Sequence, residues 1–97
     1  MRSVMIILTS KVVTFHKKKT SMRLTNLEWD IFNAVCEHEK IRRRTLLEHI
    51  CETRSHNLNM TSAVRLFMLL YLYNKSITEN SNKKRRDSLH RALQQLN

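Results

Sequence analysis

The sequence predicts a mostly α-helical protein with one short β-strand, which pairs antiparallel with the same strand of a second subunit. The chain contains neither glycine nor proline, so long segments can remain helical. From residue 26 onward, apolar residues recur with helical spacing. Residues 19–24 instead alternate between polar and apolar side chains, which is the period of a strand.

Length and charge indicate one domain with an anionic partner. The chain has 97 residues, of which 41% are hydrophobic, and a net charge of +10. This charge favours nucleic acid as the partner, with an acidic membrane surface second. Ten of the eighteen lysines and arginines lie in three clusters, namely Lys17–Lys19, Arg42–Arg44 and Lys83–Arg86. No segment is long enough to span a membrane and the start of the chain does not resemble a signal peptide, so we expect a cytoplasmic protein with no membrane association.

The strand presents one polar, positive face. The outward side chains are Lys19, Ser21 and Arg23, and the inward ones are Thr20, Met22 and Leu24. A lone strand leaves its backbone groups unpaired, and residues 1–16 offer only weak partner candidates, so a second copy is the simplest partner. Two such strands would form a ribbon with six polar side chains on one face, narrow enough for the major groove of DNA. An ordinary edge strand with a solvated basic face fits the pattern equally well.

Helices follow the strand. Thr25 and Glu28 form a capping-box pattern, which predicts a first helix over residues 26–39. A second helix is expected over 43–52, and a third begins near Met60, with Asn59 or Thr61 as its N-cap, and runs to about Tyr73. This third helix is apolar nearly all round, which indicates burial on several sides, including a dimer contact. The residues assigned to the core and dimer contact are Met22, Leu24, Trp29, Phe32, Leu46, Leu47, Ile50 and Phe67.

The C-terminal segment is predicted to hold a polar loop and a last helix. Residues 74–82 are rich in serine and asparagine and are interpreted as the loop. The basic cluster Lys83–Arg86 then precedes a helix with Leu89, Leu93 and Leu96 on one stripe. This helix can pack on the body, bind another protein, or fold only on binding. We therefore divide the chain into an arm or short strand over 1–16, a domain over 17–74, and a basic linker and helix over 75–97.

Three arginines at the start of the second helix predict a phosphate contact. A helix N-terminus presents unpaired N–H groups and a partial positive charge, so arginines there are unfavourable unless an anion binds. We therefore expect phosphate contacts here; the alternative is that the arginines extend into water. The full set of expected phosphate contacts is Lys17, Lys18, Arg42, Arg43, Arg44 and Thr45.

The order of strand, capped helix, basic turn and second helix resembles the ribbon-helix-helix (MetJ/Arc-like) DNA-binding family. The segments that carry the resemblance are Thr20–Leu24, Trp29 with Phe32, Ile41–Ile50 and, as in the extended variety with an additional helix, Asn59–Phe67. Together they cover about residues 17–73. The resemblance implies an intertwined dimer whose paired strands enter the major groove, with base contacts from Lys19, Ser21 and Arg23.

The resemblance also implies that the start of the second helix clamps a phosphate through backbone N–H groups, at Arg42–Arg44. The sequence departs from the family pattern here. The family usually has glycine in the turn and serine or threonine at the N-cap, where this chain has Lys40 and Arg42. The arginine side chains are then expected to take over the phosphate contacts.

These observations predict a sequence-specific regulator of transcription that binds double-stranded DNA as a homodimer. We expect a bacterial, nucleoid-associated repressor that occupies an operator, with dimers able to assemble further along DNA. The alternative is an antitoxin-type module, which binds DNA through the ribbon and a protein partner through residues 83–97.

Metal binding and catalysis have little support in the sequence. Cys36, His38, His49 and Cys51 do not have the spacing of a zinc finger, and both cysteines lie in apolar helical patterns that indicate buried thiols. The chain contains no HExxH motif, glycine-rich phosphate loop or recognisable catalytic triad. We therefore expect no enzymatic activity, no metal and no cofactor.

Overall fold

The structure, a computed structural model, describes residues 5–81 and 87–96. Within these residues the chain forms a β-hairpin followed by four helices, a mostly helical architecture as predicted. The elements are β1 (Leu8–Phe15), β2 (Lys18–Thr25), α1 (Asn26–Glu39), α2 (Arg43–Thr53), α3 (Met60–Ser81) and α4 (Asp87–Leu96).

The strand identified in the sequence is β2, and its hydrogen-bonded neighbour is β1 of the same chain. The two strands pair antiparallel from Leu8 opposite Thr25 to Phe15 opposite Lys18. The sequence predicts that this neighbour comes from a second copy, but in the structure one edge of β2 is paired within the same chain. The turn between the strands consists of His16 and Lys17, whose φ angles of 50° and 61° are both positive, as a type I′ hairpin turn requires.

Burial on the helices explains why residues 8–15 form a strand. Val13 and Phe15 point inward and are buried together with Met22 and Leu24 of β2. The indole Nε1 of Trp29 in α1 donates a hydrogen bond of 2.9 Å to a backbone oxygen of β1, that of Thr9. This burial and hydrogen bonding offset the cost of a hairpin turn that lacks the usual asparagine or glycine.

The helices cover the inward face of the hairpin, and the core lies between them. The predicted first helix is confirmed with its capping box: the Glu28 N–H donates to Thr25 Oγ1 at 3.1 Å, and the Thr25 N–H donates to Glu28 Oε1 at 2.8 Å. All the residues assigned to the core and dimer contact are buried inside the single chain, namely Met22, Leu24, Trp29, Phe32, Leu46, Leu47, Ile50 and Phe67.

The predicted loop over residues 74–82 is wrong for most of its length, because α3 continues to Ser81. Asn74 is buried, and its side-chain Nδ2 donates to the Leu70 carbonyl oxygen at 2.7 Å and to Gln95 Oε1 at 2.6 Å. Contact with α4 therefore stabilises a helical turn that composition alone does not favour.

The last helix packs on the body of the protein, the first of the three outcomes considered for it. Ala92 and Leu96 of α4 are buried, and Leu89 and Leu93 pack against the same core. The basic cluster Lys83–Arg86 lies outside the described residues. Among the residues that the structure describes, no helix is long and apolar enough to cross a membrane.

Candidate nucleic-acid interface

The outward face of the hairpin carries side chains from both strands. Cross-strand pairs share a face of a sheet, so the partners of Lys19, Ser21 and Arg23 face outward with them. These six exposed residues form three pairs, which are Ser10 with Arg23, Val12 with Ser21, and Thr14 with Lys19. We call this set the hairpin face. Four of its side chains are small, and the two cations, Arg23 and Lys19, lie toward opposite ends of it.

Sequence reasoning missed half of the hairpin face, since Ser10, Val12 and Thr14 were not singled out. Their signal was present as an alternation in which Val13 and Phe15 face inward while Val12 and Thr14 face outward. A hydrogen bond of 2.8 Å joins Ser10 Oγ and Ser21 Oγ across the strands. This bond connects Ser21, a predicted base-contact residue, to Ser10 on the neighbouring strand.

Helix α2 holds the tip of the hairpin. The backbone N–H of His16 in the turn donates to Glu48 Oε2 at 3.0 Å, and His16 Nε2 lies 3.5 Å from Glu52 Oε2. The hydrogen bond from His16 is the main reason that the pKa of Glu48 is lowered, and Arg44, 3.6 Å away, contributes to the same shift. Both acidic side chains of α2 thus fix the hairpin relative to the start of that helix.

The N-terminus of α2 lies beside the outer edge of β1. Arg42 is its N-cap and makes no capping hydrogen bond through its side chain, and Leu46 is the first residue to donate back into the helix, to the Arg42 oxygen at 3.0 Å. The N–H groups of Arg43, Arg44 and Thr45 therefore have no acceptor within the helix. All three arginines are exposed.

A groove separates this helix start from the hairpin. Arg43 and Arg44 line it together with residues 11–14 of β1, and its volume is about 430 Å³. Lys17 and Lys18 are exposed at the hairpin turn. The structure thus places the predicted phosphate contacts along the flank and the tip of the hairpin, while Lys19, Ser21 and Arg23 occupy its outward face.

Arg65 of α3 contacts the hairpin at β2, the strand farther from α2. It was assigned no role from the sequence. Its Nε donates to Glu28 Oε2 at 2.9 Å, and its Nη2 donates to the Arg23 carbonyl oxygen at 3.4 Å. Burial raises the pKa of Glu28, but the hydrogen bonds from Thr25 and Arg65 outweigh it and lower the pKa overall. The available signal was that Arg65 is the only charged residue in the apolar run of α3 from Val64 to Tyr73.

The described residues contain no cluster of three or more histidine, cysteine, aspartate or glutamate side chains able to hold a metal ion. Cys36 is buried, and this burial raises the pKa of its thiol to about 11. Such a thiol stays protonated at neutral pH, which makes it a poor nucleophile and a poor metal ligand.

The hairpin, the capped helix α1 and the basic start of α2 follow one another along the chain. A family model described as "Ribbon-helix-helix domain" matches residues 8–72, from the first residue of β1 into α3. The chain therefore belongs to the ribbon-helix-helix family, which makes it, in general terms, a DNA-binding regulatory protein. No curated protein and no solved structure shows a significant match to it.

Proposed function

We propose that this protein is a sequence-specific regulator of transcription that binds double-stranded DNA as a dimer, with its hairpin face in the major groove. It acts as a repressor by occupying an operator, at the nucleoid in the cytoplasm. The observation that carries the proposal is the hairpin face itself, flanked by the exposed arginines of α2. A two-stranded ribbon, with strands about 4.8 Å apart, fits a major groove about 12 Å wide.

The residues of β2 supply the base contacts in this proposal. Arg23 can donate two hydrogen bonds to the O6 and N7 atoms of guanine, a contact worth roughly 1–3 kcal/mol of discrimination. Lys19 can reach guanine or a phosphate, and Ser21 can donate or accept a hydrogen bond. Arg65 holds the backbone of Arg23 in place and so supports the most specific of these contacts.

The phosphate contacts come from the flank and tip of the hairpin. Arg42, Arg43, Arg44 and Thr45 offer guanidinium groups and free helix N–H groups beside β1. Lys17 and Lys18 extend this positive surface at the turn. Such contacts position the protein on the duplex without reading its sequence.

A second copy of the chain is supported by an apolar stripe on α3. The side chains of Leu69, Leu72 and Tyr73 lie on one side of this helix and are 66%, 43% and 60% exposed. Helical residues three and four apart share a face, so these side chains form a continuous surface. A second chain that covers this surface with its own stripe would form the dimer that the proposal requires.

Selection from random double-stranded DNA tests the proposal. The full-length protein is incubated with random duplexes near physiological salt, and the bound fraction is sequenced. We expect one enriched motif with two related half-sites, and we expect Arg23→Ala to relax the preference at one position of each half-site while the protein remains folded. Arg91→Ala, which removes an exposed arginine from α4, is the matched control and should leave the motif unchanged.

Two results would contradict this proposal. Binding without an enriched motif would indicate a protein held on DNA by charge alone. If Arg23→Ala left both the motif and the affinity unchanged, the hairpin face would be excluded as the reading surface. The antitoxin alternative has less support, because the buried face of α4 already packs on the body through Ala92 and Leu96. A co-purifying protein that is absent when residues 75–97 are deleted would favour that alternative.

A further inference from the structure

We propose that Ser21 reads the exocyclic amino group of an adenine or a cytosine, and that Ser10 determines this choice by accepting the only hydroxyl proton of Ser21. This inference rests on the proposed function, and it gives a direction to a base contact that was left open there. Ser10 and Ser21 are both exposed on the hairpin face. Their Oγ atoms are 2.8 Å apart, and either of them can be the donor of this hydrogen bond.

The open edge of β2 is where a second chain can add its strand. β1 is hydrogen-bonded to one edge of β2, and no other strand in the described part of the chain lies at the second edge. An edge strand presents unpaired backbone N–H and C=O groups, which can pair with a strand of another chain. The ribbon that enters the groove then consists of two β2 strands, one from each chain, and β1 lies outside it.

The dimensions of the major groove place β1 beside the phosphates. Neighbouring strands are about 4.8 Å apart, so β1 runs about 7 Å from the midline of the ribbon. The groove is about 12 Å wide, which puts each of its walls about 6 Å from the same midline. The outward side chains of β1 therefore meet the sugar-phosphate backbone that borders the groove. Ser10 is one of these side chains, and it is bonded to Ser21.

A phosphate contact fixes the direction of the hydrogen bond between Ser10 and Ser21. Phosphate oxygens accept hydrogen bonds, so Ser10 contacts them by donating its hydroxyl proton. A serine hydroxyl has one proton, and Ser10 must then be the acceptor of the bond that joins it to Ser21. Because that bond uses the proton of Ser21, the Ser21 oxygen can only accept a hydrogen bond from the DNA.

An oxygen that can only accept selects a donor on the base edge. The donors that bases present in the major groove are the N6 amino group of adenine and the N4 amino group of cytosine. Thymine O4 and guanine O6 are acceptors, with which such an oxygen forms no hydrogen bond. Without Ser10, the Ser21 hydroxyl would rotate freely and either donate or accept. Ser10 is therefore a positioning residue that acts through Ser21.

Base analogues that lack one group test the direction of the contact. Selection first defines the motif, and Ser21→Ala identifies the position that Ser21 reads, because the preference there is lost. The full-length protein is then titrated with duplexes in which the adenine or cytosine at this position is replaced by purine or 2-pyrimidinone, which lack the amino group. We expect wild-type affinity to fall about fivefold, the effect of one hydrogen bond, whereas Ser21→Ala should bind both duplexes equally. Removing the O4 or O6 oxygen from the paired base instead should leave wild-type affinity unchanged.

Variants of β1 test the role of Ser10. With Ser10→Ala, the selected motif should accept both orientations of the base pair that Ser21 reads, because the freed hydroxyl can also donate to the oxygen of the pair. Ser10→Thr keeps a hydroxyl and should retain the wild-type preference. Thr14→Ala is the matched control, since it removes a hydroxyl from the same strand and face, and it should also retain this preference.

The outcomes separate this inference from the proposed function. An enriched motif that tolerates loss of the amino group, or that Ser21→Ala leaves unchanged, would overturn the reading by Ser21 while the DNA-reading function stands. If Ser10→Ala lowered the affinity for every duplex and left the preference intact, Ser10 would have a structural role only, and its part in the inference would be wrong. Failure to enrich any motif would overturn both proposals.

Discussion

Three residues that bear side chains adopt positive φ angles in the described part of this glycine-free chain. They are His16 and Lys17 in the hairpin turn and Lys40 at the end of α1. Lys40 has φ 56° and ψ 46°, the left-handed conformation in which a Cβ atom crowds the following carbonyl oxygen. Its N–H donates to the carbonyl oxygens of Cys36 and Glu37, which closes the helix. The cap is therefore formed at a conformational cost that glycine would not carry.

Replacing Lys40 by glycine should stabilise the protein. We expect Lys40→Gly to raise the free energy of unfolding by about 1 kcal/mol, because glycine adopts the left-handed conformation without the steric penalty. Urea denaturation followed by circular dichroism measures the change. Lys40→Ala removes the same charge and keeps the Cβ atom, so it should bring no gain. Equal stabilisation by both variants would mean that charge, and not conformation, sets the effect.

At the scale of elements, the ion pair of Glu28 and Arg65 joins three segments. Glu28 caps the start of α1, Arg65 belongs to α3, and the same guanidinium group bonds the backbone of β2 at Arg23. Both side chains are partly buried, so solvent screens this pair less than a fully exposed one. The pair therefore helps to hold the strand with the predicted base contacts on the helices.

The lowered pKa of Glu28 predicts a pH-dependent contribution to stability. A carboxyl group whose pKa is lower in the folded state stabilises the fold above its unfolded pKa, about 4.3, and loses this effect as the pH falls through the folded pKa. Glu28→Gln should therefore be less stable than wild type at pH 7, and the difference should shrink below about pH 4.

Denaturation curves from pH 7 to pH 3 measure this difference. Glu37→Gln, which removes an exposed carboxylate from the same helix, tests for a general effect of net charge and should not reproduce the destabilisation at pH 7. If Glu28→Gln were destabilised by the same free energy at every pH, the ionised form of Glu28 would not be the stabilising group.

At the scale of the whole molecule, two groups of basic residues in the described part of the chain lie at the hairpin. Lysines occupy its tip, and the arginines of α2 lie along the outer edge of β1. Each arginine that neutralises a DNA phosphate releases condensed counterions, so the affinity falls as salt rises. We therefore predict that the arginines of α2 determine how the affinity for DNA depends on salt, and that the hairpin face determines the sequence preference.

Removing the flanking arginines should weaken binding to all sequences. For Arg43→Gln combined with Arg44→Gln, we expect the slope of log K against log salt to become shallower by about 0.9 for each phosphate that the variant no longer neutralises, with the selected motif unchanged. Titrations at several salt concentrations measure the slope. Arg91→Gln on α4 is the single-charge control. An unchanged slope in the double variant would remove these arginines from the interface.

Local sequence was sufficient for much of the fold. The capping box at Thr25 and Glu28 predicted the start of α1, and the helical spacing of apolar residues predicted α2 and the start of α3 near Met60. The alternation over residues 19–24 predicted which side of β2 faces outward. These features depend on interactions within a few residues, so they can be inferred from sequence alone.

Two features depended on contacts between residues far apart in the chain. Asn74 remains helical because it meets Gln95, twenty-one residues later. The hairpin turn lacks the asparagine or glycine by which such turns are usually predicted from sequence. Strand β1 forms because Val13 and Phe15 are buried by helices that follow much later in the chain. The sequence by itself thus determined a ribbon-helix-helix protein with Lys19, Ser21 and Arg23 facing outward. Only the tertiary structure decided that β1 lies beside them, because strand pairing follows from the surface that each strand can bury.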